Sequence, residues 1–271
     1  MKCRACKLQL PLGKSLCPRC RRWTRVEDKP VTIRLSDVQD EGVARMIAGH
    51  WSAGLLGGGI VPGTVLLVGG EPGVGKSTLS LHLLDACIHE TGKDGLYLGV
   101  EERPAMLRSR AVRIRCGHLE KMVIPGEELS IELDILDRVG PQCLVIVDSL
   151  SRLARNEHQA VRVMRRIADY AQTSCTAVVV LDHVTKGQDF AGFMTLQHDV
   201  DVTIYLRGDA KRSKRTWQTV KNRHGDGYVT RPLWMDEFGI RPRTEADHEA
   251  RGEDESGKAE KVQPLMGLGG E

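Results

Sequence analysis

Gly70, Glu71, Pro72, Gly73, Val74, Gly75, Lys76, Ser77 and Thr78 run consecutively and fit the spacing G-x-x-x-x-G-K-[ST]. In such a loop backbone N–H groups wrap a diphosphate, Lys76 reaches the β- and γ-phosphates, and the Ser77 hydroxyl ligates Mg²⁺. The flanks agree. Thr64 to Val68 is a short β-branched run suited to a buried strand, and Leu79 to Glu90 puts Leu79, Leu83, Leu84, Cys87 and Ile88 at helical spacing. A loop between strand and helix gains partial positive charge from the helix N-terminus, facing the phosphates. A glycine-rich turn matching by chance would lack these flanks, so the stretch implies a nucleoside-triphosphate site with ATP and Mg²⁺ as ligands.

Asp148 closes the apolar run Leu144 to Val147, the position from which a second carboxylate helps hold Mg²⁺; a helix cap is the competing role. Hydrolysis also needs a group that orients the attacking water and groups that neutralise charge on the γ-phosphate. Glu101, following the strand Leu96 to Val100, is the candidate base, with Glu102 its competitor. His183, following Ala177 to Asp182, is a candidate γ-phosphate sensor or a polar loop histidine.

A second chemistry lies at the N-terminus. Cys3, Cys6, Cys17 and Cys20 are spaced C-x₂-C-x₁₀-C-x₂-C, which aims four thiolates at one tetrahedral Zn²⁺. A piece this small buries too little to fold alone, so metal would supply most of its folding free energy. A redox dithiol or an iron site are the alternatives. Cys87, Cys116, Cys143 and Cys175 occur singly in apolar elements and read as small core residues.

The elements that must position these groups alternate. Strands are expected at 64–68, 96–100, 122–124, 143–148 and 177–182, with helices at 79–90, 104–114, 131–139 and 157–173. That order implies a parallel sheet covered on both faces. In the last helix Ala160, Val161, Met164, Ile167, Ala168 and Ala171 share a face. Past residue 200, DVTIYL, TWQTVK and PLWMD read as antiparallel strands at one edge. The expected organisation is a Cys₄ zinc finger at 1–26, a linker and short helix at 27–49, an ATPase core at 50–242 and a disordered charged tail at 243–271.

The net charge of +3 says little, but residues 1–26 hold eight Lys or Arg and no acid, and 245–260 hold seven acids. A basic head suits a polyanion. No stretch reaches the roughly 18 apolar residues of a membrane helix, and no signal-peptide core opens the chain, which points to a cytoplasmic protein without membrane contact. Arg103, Arg108, Arg110, Arg113 and Arg115 gather on one expected helix, as a solvated face or as a nucleic-acid or subunit surface.

Taken together, the Cys₄ knuckle, LLGGGIVPGT, GEPGVGKST, LGVEE, LVIVDS, LDHVTK, AGF and KNRHG occur in an order that resembles the RadA/Sms family of RecA-like ATPases, from Cys3 to about Ile240. The resemblance implies a RecA-like α/β core, ATP hydrolysis stimulated by DNA, and action in homologous recombination and DNA repair through branch migration on single-stranded DNA. It implies a homo-oligomeric ring on recombination intermediates, with a recombinase or replicative helicase as a possible partner. By matching motif, Lys76 and Ser77 bind nucleotide and Mg²⁺, Asp148 is the second acidic position, Glu101 the general base, and His183 and Lys186 lead into a DNA-facing loop. Lys221 and Arg223 are expected to enter the neighbouring subunit's site.

Two departures stand out. His224 occupies the place where the family motif usually carries Phe, and the chain stops where these proteins normally continue into a Lon-protease-like domain, as a form from a phage or mobile element could. With 4% aromatic residues a base-stacking platform of the OB-fold type is disfavoured, so DNA affinity would rest mainly on Lys and Arg. The candidates are the loop after His183, the run KRSKR at Lys211 to Arg215, which could equally be a solvated hairpin tip, and the knuckle with Arg19, Arg21 and Arg22. Two other classes remain open: a nucleotide-gated adaptor that binds a helicase or recombinase with little translocation, and a small-molecule kinase, which a zinc knuckle disfavours.

Overall fold

The computed structural model describes residues 44–47, 49–99, 102–125, 135–139, 142–183, 196–208 and 213–243. The four cysteines of the expected zinc finger, Glu101, Lys186, Lys211, Arg212 and the 244–271 tail lie outside the described residues. The elements are β1 (Val65–Gly70), α1 (Lys76–Thr91), β2 (Gly95–Gly99), α2 (Pro104–Arg113), β3 (Met122–Val123), α3 (Ile135–Arg138), β4 (Leu144–Asp148), α4 (Leu150–Leu153), α5 (Glu157–Ser174), β5 (Ala177–His183), β6 (Val202–Gly208), β7 (Lys214–Asn222), β8 (Thr230–Asp236) and β9 (Gly239–Pro242).

They form one sheet in the order β3-β2-β4-β5-β1-β6-β7-β8-β9. Strands β1 to β6 are parallel, and β7, β8 and β9 extend the sheet antiparallel. The parallel strands are buried on both sides, and their alternate residues feed two cores. Leu66, Val68, Val179 and Leu181 join Leu79, Leu83, Leu84, Cys87 and Ile88 of α1 on one face. Val65, Leu67, Val178 and Val180 join Met164, Ile167 and Ala171 of α5 on the other. Burying such side chains contributes about 1.5–3 kcal/mol each, which is what holds the strand ends in register.

The helical faces expected from spacing are the buried ones, with Tyr170 added on α5. Helix α1 begins three residues earlier than its apolar periodicity suggests, at Lys76, because Gly75 caps it in a left-handed conformation (φ 110°). Of the single cysteines, Cys87 and Cys143 are buried, but Cys175 is exposed and left-handed at the C-terminus of α5 (φ 51°). The core role expected for Cys175 is therefore wrong: helix termination, not burial, fixes its place. No described helix is long and apolar enough to cross a membrane.

Candidate nucleotide site

Strand β1 delivers Gly70 level with His183 of β5 and Leu206 of β6, at the C-terminal edge of the parallel strands. In open α/β sheets this edge is where ligands bind. The loop 71–75 turns on Gly73 and Gly75, both at positive φ (76° and 110°), and closes on itself through Val74 N–H to the Glu71 carbonyl at 3.3 Å. A side chain at Gly75 would be strained by that φ and would also meet Met235 Sδ at 2.9 Å. Only glycine fits.

Lys76 is 6% exposed, although lysine is rarely buried unpaired. Its ammonium donates to the carbonyls of Gly70 (2.8 Å) and Glu71 (3.1 Å) and lies 3.2 Å from His183 Nδ1. The fold thus brings together the loop lysine and the expected sensor histidine, two groups 107 residues apart in the chain. Asp182, beside His183, accepts its backbone N–H at 2.9 Å. Burial raises the Asp182 carboxyl, opposed by that hydrogen bond and by the charges of His183 and Lys76.

Asp148 ends β4 opposite Leu181 and Gly99, and its Oδ2 accepts the Tyr97 hydroxyl at 2.5 Å. Ser80 and Ser77 lie near that hydroxyl. Burial, then the Asp148 charge, pushes the phenol well above its ordinary range, so it stays a donor. Tyr97 thus stands beside Ser77 and bonded to Asp148, the two groups expected to hold Mg²⁺. A hard cation takes hydroxyl and carboxylate oxygens, so this donor set fits it. Sequence reasoning missed Tyr97, Asp182, Met235 and Arg215. Nothing local marks Tyr97; Asp182 alone, a carboxylate ending an apolar strand, carried a signal of the kind that identified Asp148.

Lys214 is exposed and Lys211 and Arg212 lie outside the described residues, so the reading of KRSKR as a solvated hairpin tip or DNA contact is corrected only at Arg215. Arg215 is 4% exposed, and its Nε donates to the Val74 carbonyl at 2.8 Å. The loop's outer wall is thus part of the antiparallel extension. Three of the five arginines on and beside α2 are likewise engaged by the chain itself: Arg110 pairs with Glu102 at 2.9 Å, Arg113 donates to the Glu237 carbonyl at 2.7 Å, and Arg115 stacks over Phe238 at 4.0 Å, while Arg103 and Arg108 are exposed.

Lys221 and Arg223 stand elsewhere. Lys221 pairs with Thr203, while Trp217 pairs with Leu206 at the level of the loop. Four residues of strand separate those levels, about 13 Å. Lys221 Nζ donates to the Val200 carbonyl at 2.7 Å and to that of Gln197, and burial, then Arg223, pushes its pKa down. Arg223 holds Asp201 at 3.1 Å, and Asp201 Oδ2 in turn accepts Val65 N–H at the start of β1. Both cations lie toward the end of the sheet away from their own phosphate loop.

The turn that follows packs on the glycine run before β1. A Cβ at Gly57 would fall 2.8 Å from Gly225 Cα, and Arg45 donates to the His224 carbonyl at 2.8 Å. The His224 ring Nε2 is buried with no partner among the described residues.

Residues 52–124 match the family model for the KaiC ATPase. DNA repair protein RadA of Mycolicibacterium smegmatis is 32% identical over 259 residues, 83% of this chain and 55% of that protein. RadA of Mycobacterium tuberculosis is 37% identical over 181 residues, 63% of this chain and 37% of the relative. The chain thus spans about half the length, or less, of these relatives. Among solved structures, a KaiC-like protein from Pyrococcus horikoshii superposes with a TM-score of 0.63 at 19% identity, covering 75% of this chain and all of the other. The RadB recombinase does so at 0.57 and 18%, covering 73% and all. The fold is RecA-like, and over the matched length the sequence is similar to DNA repair protein RadA.

Proposed function

We propose that this chain hydrolyses ATP on the loop 70–78 in a manner stimulated by single-stranded DNA, and that it acts in recombination and DNA repair by driving branch migration. One observation carries the reading: Lys76, buried on the loop carbonyls and against His183, stands with Ser77 and Asp148 on the same sheet edge, the Asp148 carboxylate held by the Tyr97 hydroxyl. The similarity to RadA proteins supports the DNA-repair context.

In this reading Gly70 to Thr78 wrap the phosphates, Lys76 neutralises them, and His183 senses the γ-phosphate. Ser77 and Asp148 hold Mg²⁺, which when bound supplies charge neutralisation between the phosphates. Glu101 orients the water. Lys221 and Arg223 face away from their own loop and serve the site of a neighbouring copy, so the active form is a homo-oligomer, a ring in the family pattern. Cys3, Cys6, Cys17 and Cys20 hold Zn²⁺ in an N-terminal finger.

The test is steady-state ATP hydrolysis with and without single-stranded DNA at low and high salt, with Lys76→Ala as the blank. Several-fold stimulation that fades with salt is expected, because phosphate contacts release counterions. A rate indifferent to DNA at every salt would overturn the DNA-coupled motor and leave the nucleotide-gated adaptor as the better reading.

A further inference from the structure

We propose that Arg215 is a positioning residue for the phosphates of the bound nucleotide, acting by locking the orientation of the Val74–Gly75 peptide. The inference rests on the nucleotide-site reading and adds to it a residue from the antiparallel extension.

The loop has little rigidity of its own at this point. Val74 lies between Gly73 and Gly75, whose positive φ angles glycine adopts freely, so the peptide between Val74 and Gly75 is free to rotate unless something outside holds it. Arg215 is that holder: its Nε donates to the Val74 carbonyl at 2.8 Å while Nη1 donates to the Lys214 carbonyl at 2.9 Å. The guanidinium is planar, so two fixed acceptors fix its orientation. Gly208, pairing with Arg215 at the end of β6, is at φ 149°, and a Cβ there would fall 2.6 Å from Arg215 Cδ; the arginine stem occupies that space. On the same side, Met235 of β8 backs Gly75.

A trans peptide directs its C=O and N–H to opposite sides of the chain, and the Val74–Gly75 bond is trans. With the Val74 carbonyl turned outward to Arg215, the Gly75 N–H must point the other way, off the wall formed by β7 and β8. In a loop that binds phosphate through backbone N–H groups, this orientation is the one that donates. The ligand is the polyphosphate of a nucleoside di- or triphosphate, and Arg215 acts on it through the backbone without touching it.

The experiment measures affinity for a fluorescent ADP analogue and ATP turnover in wild type, Arg215→Met and Arg215→Lys. Arg215→Met keeps a long apolar side chain and removes the donors. It is expected to weaken ADP about tenfold, the value of one hydrogen bond to a charged group, and to raise the ATP KM by a similar factor with kcat little changed. Arg215→Lys keeps one donor and should recover most of the affinity. A folded Arg215→Met protein that binds ADP within twofold of wild type would overturn the proposal, whatever its melting temperature. If Arg215→Met does not fold, Arg215→Lys decides: its single rotatable donor must leave ADP weaker than in wild type, and equal affinity would overturn the lock. Binding by wild type that Lys76→Ala abolishes shows the site reading intact in either case, whereas no binding by wild type would overturn both.

Discussion

Replacing Tyr97 by Phe removes one oxygen and leaves the ring in place, so it isolates the hydroxyl that donates to Asp148. Tyr97 is 2% exposed and its hydroxyl donates to Asp148 Oδ2 at 2.5 Å, a bond whose acceptor is a largely buried carboxylate. Hydrogen bonds to charged groups contribute about 1.5–3 kcal/mol, and the oxygen left behind has no access to bulk water with which to recover it. In a domain of this size each kcal/mol moves Tm by roughly 2–4 °C, so Tyr97→Phe should lower it by about 3–12 °C. The internal control is Tyr170→Phe. Tyr170 is 6% exposed, and its hydroxyl is buried without a partner among the described residues. Deleting that oxygen removes a desolvation cost and should leave Tm unchanged or higher. Both variants are read by calorimetry without nucleotide. A Tyr97→Phe midpoint within 1 °C of wild type, or equal losses in the two variants, would refute the inference that the Tyr97 hydroxyl holds the Asp148 carboxylate in place.

Two further outcomes are expected. His50 lies against Ser52, whose backbone N–H donates to its Nδ1 at 3.3 Å, and burial together with the nearby His82 pushes His50 down to about 4 from an ordinary 6.5. As pH falls through 6.5 the unfolded chain takes the proton first, so stability is lost between pH 6.5 and 4, by up to about 3 kcal/mol. His50→Asn, whose Oδ1 can stand in for Nδ1, should flatten that part of the urea-midpoint profile, and an unchanged slope would contradict the assignment. His224→Phe should raise Tm, because it deletes a buried, unpartnered Nε2 that costs about 1–3 kcal/mol; a fall of several degrees would mean that the ring has a polar partner.

What the sequence disclosed of the site was what is contiguous in it. Gly70 to Thr78 carries its own chemistry within nine residues, and Asp148 ends an apolar run, so both could be read without a structure. The strand and helix alternation was legible for the same reason: burial on two faces leaves β-branched runs, and burial on one leaves helical spacing. What could not be read depends on register between distant strands. Trp217 faces Leu206 and Lys221 faces Thr203. That offset puts Arg215 against the phosphate loop and Arg223 near the start of β1, although the two arginines are only eight residues apart. A charge pattern shows that cations are present, but the strand pairing decides which of them is buried beneath the loop. Tyr97 was hidden likewise, since an aromatic in an apolar strand has no local mark of the carboxylate waiting on the next strand. The start of α1 was misplaced because a left-handed glycine cap has no hydrophobic signature.

Mixed subunits test directly whether the site on one chain is completed by cations from another, as proposed. Lys76→Ala lacks a working loop but keeps Lys221 and Arg223; Arg223→Ala keeps the loop but lacks the cation. Each alone should hydrolyse ATP at background rate, Arg223→Ala while still binding nucleotide. Mixed at equal amounts, with co-assembly verified by sedimentation, they should recover a measurable fraction of wild-type turnover, since some interfaces then pair an intact loop with an intact Arg223. Co-assembly with turnover still at background would contradict the claim and place the action of Arg223 within its own chain.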